Sequence, residues 1–275
     1  MFKNKFRVLL SIVLLALSFG SIKSTLAESI ILASTTSTQN SGLFDYILPA
    51  FTEDTGITVN VVAVGTGAAL KLARNGDADV LMVHHRTSEE KFVTEGFGVE
   101  RFDLMHNDFV LVGPDNDPAE IKSAANVVVA LKRIEKVQAP FLSRGDDSGT
   151  NKRELELWHQ ASFDPKTVSG DWYRETGSGM GATLNTAVAM QGYALTDRAT
   201  WLSYKNKQNM QVLFEGDKRL FNQYGVIVVN PEKYPHVKLK EANSFVDWLL
   251  SSKGQSLIAS YKVSGEQLFT PDALK

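Results

Sequence analysis

The stretch SIILASTTST, residues 29–38, decides the fold that we predict for this chain. Its first half, Ser29–Ala33, is a short apolar run rich in isoleucine, which is typical of a strand buried on both faces. Its second half is a run of hydroxyl side chains, and an amphipathic segment with apolar residues at helical spacing, Leu43–Phe51, follows it. A buried strand that leads through a polar loop into a helix is the repeating unit of α/β proteins.

The same unit recurs along the chain. Further apolar, β-branched runs that indicate buried strands are Ile57–Val64, Asp79–Val83, Asp108–Val112 and Val226–Val229. Further amphipathic segments are Leu70–Arg74, Arg153–His159, Ala182–Met190 and Ser244–Leu250. This alternation predicts an α/β fold with mainly parallel sheets flanked by helices. The sequence shows no internal repeat and no long linker that would divide it into domains. If the protein has two lobes, the chain must therefore pass directly from one to the other, and the best candidates for these crossing segments are Asp108–Gly113 and Tyr224–Val229.

Composition limits the classes of function. The 275 residues, 43% of them hydrophobic, suffice for one large domain or two lobes around a sizeable core. A formal net charge of −2 gives no electrostatic footprint for nucleic acid. The absence of cysteine excludes a disulfide framework, a cysteine zinc site, a thiol nucleophile and a lipid-modified N-terminal cysteine.

The N-terminus has the pattern of a secretory signal peptide. Three basic residues, Lys3, Lys5 and Arg7, precede the apolar run Val8–Phe19, and small residues follow up to Ala27. The alternative is a membrane anchor, but a span needs roughly 20 apolar residues, more than this run contains. Cleavage near Ala27 removes four basic residues and no acidic one, which takes the net charge from −2 to −6. We therefore expect an exported, periplasmic protein. The absence of cysteine fits this compartment, because a free thiol would be oxidised there.

Three predicted strand-to-helix junctions carry the candidate chemistry. They are residues 34–38 (STTST), 65–67 (GTG) and 143–150 (SRGDDSGT). Each places hydroxyls and small residues where free backbone N–H groups begin a helix, and such a terminus suits an anion. In an open α/β sheet, ligands bind beyond the carboxyl ends of the strands, where these loops would lie. Arg144 is the cation of the set, and its planar fork can hold two oxygens of a tetrahedral oxyanion.

Other readings of the same residues are less specific. The hydroxyls can be ordinary N-caps, and Arg144 can form a surface ion pair with Asp146 or Asp147. The segment 177–182 (GSGMGA) contains a GxGxxA string, which can indicate dinucleotide binding. It lies late in the chain, however, and no acidic residue follows at the required spacing. A turn that opens a helix and lines the cleft is therefore favoured. The adjacent His84 and His85 do not point to one metal from a regular strand, and we predict no protein-ligated metal.

These motifs resemble the tungstate-binding proteins of tungstate ABC transporters over essentially the whole mature chain. The matching segments are residues 33–42 (ASTTSTQNSG), 62–67 (VAVGTG), 75–80 (NGDADV), 107–114 (NDFVLVGP), 143–150 (SRGDDSGT) and 193–198 (YALTDR). The family often has a histidine after SGT, where this chain has Asn151.

The resemblance implies a two-lobed periplasmic binding protein of type II that grips an oxyanion between its lobes. Lobe 1 would comprise residues 28–110 and 222–275, and lobe 2 residues 111–221. Tungstate would be bound by Thr35, Thr36, Ser37, Thr66 and Gly67 from lobe 1, and by Arg144, Ser148, Gly149 and Thr150 from lobe 2. The protein would be a monomer without a cofactor that delivers tungstate to a membrane permease. Molybdate or phosphate is the alternative ligand.

An enzyme that acts on phosphate esters is the alternative class of function, with Ser37 or Ser148 as its nucleophile. The sequence shows neither a paired histidine base nor a metal cluster near those serines, and there is no P-loop and no GxSxG motif. We therefore predict a binding protein rather than an enzyme. Asp146 and Asp147 are expected to orient Arg144 or to cap a helix, because a carboxylate that faced a dianion would repel it.

Overall fold

The computed structural model describes residues 28–263 and 265–273. The signal peptide predicted for residues 1–27 lies outside the described residues, so it stays a prediction. Within the described ranges, no helix combines the length and the apolar character needed to cross a membrane.

Twelve strands occur in the described residues. They are β1 (Ser29–Thr35), β2 (Thr58–Val64), β3 (Val80–Val83), β4 (Gly98–Pro114), β5 (Phe141–Ser143), β6 (Tyr173–Glu175), β7 (Ala194–Asp197), β8 (Met210–Phe214), β9 (Phe221–Val229), β10 (Lys262–Val263), β11 (Glu266–Gln267) and β12 (Thr270–Pro271). Each of the five strands expected from the sequence corresponds to one of these, although β4 begins ten residues before the expected Asp108.

Ten α-helices occur in the same part of the chain. They are α1 (Thr36–Asn40), α2 (Leu43–Thr55), α3 (Thr66–Asn75), α4 (Arg86–Thr94), α5 (Val127–Val137), α6 (Gly149–Gln160), α7 (Met180–Met190), α8 (Arg198–Ser203), α9 (Leu239–Leu250) and α10 (Ser252–Ser260). The apolar positions of α2 that suggested a helix, among them Phe44, Ile47 and Phe51, are buried. The helix ends at Gly56, whose φ of 72° is the left-handed conformation in which glycine terminates helices.

The main sheet is mixed. Its strand order is β12-β4-β9-β3-β1-β2, and β7 and β8 also pair with β4. β1 is parallel to β2 and to β3, as expected for strands separated by helices, whereas β9 is antiparallel to both β3 and β4. The α/β fold is thus confirmed, and the antiparallel part comes from two long strands that run side by side.

Strand β4 changes partners along its length. From Gly98 to Asp108 it pairs with β9, and from Phe109 onwards it pairs with β7 and then with β8. Two of the buried apolar clusters are built from chain segments before Phe109 and after Leu220, apart from Ala199. The other two are built from residues 109–220. The buried core is therefore divided near the point at which β4 changes partners.

Candidate functional site

The first junction, at the end of β1, is a cluster of hydroxyl groups. Thr35 is the N-cap of α1, and its Oγ1 accepts a hydrogen bond from Thr38 N at 3.2 Å. The same oxygen lies 3.0 Å from Ser37 Oγ and 2.7 Å from Thr38 Oγ1. Thr35 therefore caps the helix and orders its neighbours, whereas Thr36 and Ser37 line the cavity described below.

A histidine lies beside this cluster. Ser37 Oγ is 3.3 Å from Nε2 of His84, which directly follows β3, and Nδ1 of His84 is 3.0 Å from Asn222 Oδ1. The sequence-based expectation that neither candidate serine has a paired histidine is wrong for Ser37. Burial lowers the pKa of His84 to about 4, so its imidazole is neutral at pH 7. The register of β1 with β3 brings the two ends together, because the carboxyl ends of neighbouring parallel strands meet at one edge.

The second junction touches the third directly. Gly65 is the N-cap of α3, and Thr66, the first residue of that helix, is buried. Its Oγ1 accepts a hydrogen bond from Gly149 N at 2.9 Å. Gly67 faces Asp147, and a Cβ built on this glycine would meet the Asp147 carboxylate. Glycine at position 67 therefore lets the Asp147 side chain approach closely, and a larger residue would displace this exposed carboxylate.

The third junction holds a buried arginine. Arg144 is 3% exposed, and Asp146 Oδ2 accepts hydrogen bonds from its Nε at 3.1 Å and from its Nη2 at 2.6 Å. Asp146 therefore orients Arg144, as expected from the sequence, and its Oδ1 also accepts from Ser148 N at 3.2 Å. A guanidinium has five N–H donors, so these two bonds with Asp146 leave three for a ligand within the described part of the chain.

The helix that follows the third junction begins with donors and an unused hydroxyl. Ser148 is the N-cap of α6 and accepts from Asn151 N at 3.2 Å. Asn151, which stands where the family often has histidine, donates from Nδ2 to Ser143 Oγ at 3.2 Å and accepts from Asp147 N, so it braces the loop. Thr150 is buried, and its Oγ1 has no hydrogen-bond partner among the described residues.

A cavity of about 290 Å³ lies where two of these junctions meet the start of α7. It is lined by Thr36, Ser37 and Asn40 from the first junction and α1, by Arg144, by residues 179–182 and by Thr200. Arg144 is the charged residue of this lining among the described residues. The other sequence-predicted residues, Thr35, Thr66, Gly67, Ser148, Gly149 and Thr150, surround or support the cavity rather than line it.

Some residues that line the cavity were not predicted as ligand contacts from the sequence. The segment that begins at Gly177 does open a helix, and α7 begins at Met180 after the N-cap Gly179, which makes no side-chain cap bond. Its interpretation as a turn that lines the cleft agrees with the cavity. Asn40 lies within the matching segment 33–42 but was not chosen as a ligand contact, and Thr200 carried no signal in the sequence beyond being a polar residue near a helix end. Asp197 is buried, and its carboxylate accepts hydrogen bonds from Thr200 N at 2.8 Å and from Thr200 Oγ1 at 2.7 Å.

A second, larger cavity of about 420 Å³ does not have the same chemistry. It lies beside β4 and β9, and Asp108 and Arg198 contribute to its lining. Arg198 donates from Nε and Nη2 to the two carboxylate oxygens of Asp108, and from Nη2 to Glu215 Oε2, each time at 2.6 Å. This cavity is less suited to an anion than the first, because Arg198 is paired with two carboxylates and because Asp108 and Asp217 line it beside Lys218.

Helix α6 also carries a buried carboxyl group behind the third junction. Glu154 is 3% exposed, and its Oε1 accepts a hydrogen bond from the Tyr173 hydroxyl at 2.7 Å. Burial raises the pKa of Glu154 from 4.5 to about 7, against the opposing effect of hydrogen bonds from Tyr173 and Ser143. The folded protein therefore holds a proton on Glu154 at pH values at which the unfolded chain has released it.

We expect the Glu154→Gln variant to have a flatter pH profile of stability than the wild type. Between pH 4.5 and about 7 the folded state binds more protons than the unfolded state, so the free energy of unfolding falls as the pH rises through this window. Because glutamine carries no titrating proton, the variant should gain up to about 3 kcal/mol relative to the wild type by pH 7.5. Urea denaturation from pH 4.5 to 8 measures this, with Glu232→Gln at an exposed position as the control. A wild-type minus variant difference that does not change with pH would contradict the prediction.

Comparison with known protein families identifies the class to which this protein belongs. The family model of the PBP superfamily domain matches residues 23–253. An α/β fold with a mixed sheet and a polar cavity at helix N-termini is consistent with that class.

Relatives within the class are close. The tungstate-binding protein TupA of Peptoclostridium acidaminophilum is 51% identical over 261 residues, which cover 93% of this chain and 90% of that protein. The solved structure of the tungstate-binding protein TupA from Desulfovibrio alaskensis G20 is 46% identical, with a TM-score of 0.79 over 90% of this chain and 99% of that one. That of the tungstate ABC transporter from Geobacter sulfurreducens is 47% identical, with a TM-score of 0.78 over 85% of this chain and 99% of that one. The chain belongs to the family of these TupA proteins within the PBP superfamily, which confirms the resemblance noted in its sequence.

Proposed function

We propose that this chain binds tungstate and delivers it to the permease of an ABC transporter. The observation that carries the proposal is the cavity in which Arg144, the hydroxyls of Thr36 and Ser37 and the N-terminus of α7 converge. Support comes from the relatives, which are named as tungstate-binding proteins and as part of a tungstate ABC transporter.

The chemistry of the cavity favours a fully deprotonated dianion. Phosphate at neutral pH usually carries a proton, and a site for it benefits from an acceptor, whereas tungstate and molybdate need donors only. The lining supplies hydroxyls, backbone N–H groups and a guanidinium, and the carboxylate nearest to Arg144 is occupied by that arginine and by Ser148 N. Molybdate, which has nearly the same size and charge as tungstate, is the alternative ligand, and phosphate is a weaker one.

We assign the lobes as residues 28–110 with 222–275, and residues 111–221. Support comes from the change of partner in β4 after Asp108 and from the division of the buried core near the same point. Several contacts join these lobes, and two of them involve helix α6. They are the hydrogen bond from Gly149 N to Thr66 Oγ1 and the contact of His85 Nε2 with Glu156 Oε1 at 3.1 Å. Both would form when the lobes close on a ligand, and closure is the signal that a permease would read.

We assign the ligand contacts mainly to residues predicted from the sequence. The N-terminus of α7 is added to them, and several of the predicted residues are given a supporting role instead of a direct contact. Thr36, Ser37 and Arg144, which line the cavity, contact the oxyanion directly. Thr150 lies outside this lining, and its buried hydroxyl, which has no partner among the described residues, would have to turn towards the ligand to take part. Thr35, Ser148, Thr66, Gly67 and Gly149 shape the loops and bring them together. The N-terminus of α7 is an additional source of N–H donors.

The protein acts outside the cytoplasm as a monomeric binding protein and not as an enzyme. Export rests on the predicted signal peptide, whose cleavage near Ala27 leaves a soluble chain. A nucleophile at Ser37 would need His84 as its base, and burial holds the pKa of His84 near 4, which makes it a weak base at neutral pH. Metal-dependent turnover of a generic phosphate ester would overturn the assignment as a binding protein.

Calorimetric titration with tungstate, molybdate, sulfate and phosphate tests the proposed ligand. We expect tungstate to bind with high affinity, because several charge-assisted hydrogen bonds of roughly 1.5–3 kcal/mol each act in one enclosed site. Sulfate and phosphate are expected to bind more weakly than tungstate. Phosphate binding that is tighter than tungstate binding would contradict the assignment.

A further inference from the structure

A buried chain of polar side chains leads from the paired strands β4 and β9 to the cavity. Asn222 Nδ2 is 2.6 Å from Asn107 Oδ1, Asn222 Oδ1 is 3.0 Å from His84 Nδ1, and His84 Nε2 is 3.3 Å from Ser37 Oγ. None of the four residues is more than 6% exposed. Asn107 and Asn222 are directly paired across β4 and β9, next to the point at which β4 changes partners.

The hydrogen on the imidazole decides what Ser37 can do. A neutral imidazole donates from one ring nitrogen and accepts at the other. With the hydrogen on Nδ1, Nε2 accepts from Ser37, whose single hydrogen is then not available to an anion. With the hydrogen on Nε2, the imidazole donates to Ser37 Oγ, and the Ser37 hydrogen is released from His84. Thr35 Oγ1, 3.0 Å from Ser37 Oγ, already accepts from Thr38 N, so the Ser37 hydroxyl can donate into the cavity.

Asn107, at one end of this row of hydrogen-bonded side chains, indicates the direction of the hydrogen bonds. With Asn222 Oδ1 towards His84 and Asn107 Oδ1 towards Asn222, Nδ2 of Asn107 is buried without a hydrogen-bond partner among the described residues. Exchanging oxygen and nitrogen in both amides lets Asn107 Nδ2 donate to Asn222 Oδ1, and Asn222 Nδ2 donate to His84 Nδ1. This exchange keeps the number of hydrogen bonds between these side chains. It replaces a buried donor without a partner by a buried acceptor without one, and unpaired acceptors are the more frequent of the two in proteins.

We propose that Asn107, Asn222 and His84 form a hydrogen-bond relay that holds His84 as the Nε2–H tautomer and so makes Ser37 a donor to the bound oxyanion. The three are positioning residues for Ser37 and do not touch the ligand. The proposal rests on the proposed function, since a donor at Ser37 is an advantage only if a fully deprotonated oxyanion occupies the cavity. Asn107 and Asn222 lie on the two strands that would connect the lobes, so the orientation of Ser37 depends on the hinge region as well as on the cavity.

The tautomer of His84 can be measured without any ligand. Two-dimensional ¹⁵N–¹H spectra of the histidine-labelled protein distinguish a protonated ring nitrogen from an unprotonated one, and His84→Gln identifies the signals of His84. We expect Nε2 of His84 to be protonated and Nδ1 to be unprotonated, both before and after addition of tungstate. A protonated Nδ1 in the tungstate complex would overturn the proposal, because Ser37 would then be bound to His84 as in a nucleophile–base pair.

A double-mutant cycle tests the effect on binding. In Asn107→Asp the carboxylate can only accept, so it turns Asn222 Oδ1 towards His84 and moves the imidazole hydrogen to Nδ1. We expect this variant to bind tungstate about tenfold more weakly in the wild-type background, but to within about twofold of its parent in a Ser37→Ala background. An equal loss in both backgrounds would overturn the relay, since the added charge alone acts whether or not Ser37 is present.

The controls separate this proposal from the proposed function. Thermal unfolding of each variant shows whether the buried substitution is tolerated, and the wild-type tautomer decides the proposal if Asn107→Asp does not fold. If the wild type fails to bind tungstate but shows the Nε2–H tautomer, the proposed ligand is wrong and the relay stands. If the wild type binds tungstate with the Nδ1–H tautomer, the ligand stands and the relay is wrong.

Discussion

Arg144→Ala is expected to weaken tungstate binding by about a hundredfold while the protein stays folded. The substitution removes at least one charge-assisted hydrogen bond, worth roughly 1.5–3 kcal/mol. It also leaves the Asp146 carboxylate without its cation beside the anion, because Asp146 now accepts from Arg144 Nε and Nη2. Both effects act in the same direction, so their sum is expected to approach 2.7 kcal/mol, which corresponds to a hundredfold change in Kd.

Two further variants resolve these contributions in the same calorimetric titration. Arg144→Ala combined with Asp146→Asn should recover part of the lost affinity, since it removes the unpaired carboxylate. Arg133→Ala is the matched control, because Arg133 lies on α5, donates to Ser123 Oγ at 2.7 Å and does not line the cavity. We expect this control to bind within about twofold of the wild type. Unchanged affinity in Arg144→Ala would reduce Arg144 to a structural partner of Asp146.

Gly149→Ala is expected to weaken tungstate binding by about 30-fold, with little change in the stability of the ligand-free protein. A Cβ at this position would lie 2.7 Å from Cε1 of His84 and 2.9 Å from Oγ1 of Thr66, closer than such contacts occur. Both neighbours are buried and hydrogen-bonded, so neither side chain moves aside readily. Overpacking of this kind costs typically 1–3 kcal/mol, and here the cost falls on the closed arrangement of the lobes.

The control for Gly149→Ala is Gly65→Ala. A Cβ on Gly65 would lie 3.9 Å from the nearest atom, Asp146 O, which is an ordinary contact at the same interface between loops. We expect this variant to bind within a few-fold of the wild type, since the cost of an alanine N-cap relative to glycine, roughly 1 kcal/mol or less, falls on α3 with and without the ligand. Small-angle scattering with and without tungstate adds a second readout, because Gly149→Ala should compact less on addition of the ligand. Wild-type affinity in Gly149→Ala would show that the contact between Gly149 and Thr66 is not part of the bound state.

The sequence was sufficient for the elements that depend on local pattern. The buried strand Ser29–Ala33, the amphipathic helix after Gly42 and the N-caps at Thr35 and Ser148 follow from periodicity and from capping chemistry, which act over a few residues. Arg144 could also be chosen from the sequence, because a cation within a loop of hydroxyls and glycines has few other uses.

The rest of the site depends on which strands are neighbours, and a single sequence does not state this. His84 reaches Ser37 only because β3 lies beside β1, and Asn222 reaches Asn107 only because β9 is antiparallel to β4. A histidine that directly follows a buried strand was the available signal for His84. The role of Thr66 as an acceptor for Gly149 N required the contact between two loops that are 83 residues apart in the chain.

The partner change in β4 has a mechanical consequence. β4 and β9 form an antiparallel ribbon up to the pair Asp108 and Phe221, and β4 then continues without a break into the other half of the protein. A hydrogen-bonded ribbon bends readily across its face and resists bending within its plane. For the two lobes proposed above, we therefore expect rotation about essentially a single axis, so that the loops on either side of the cavity would meet in the same alignment each time they approach.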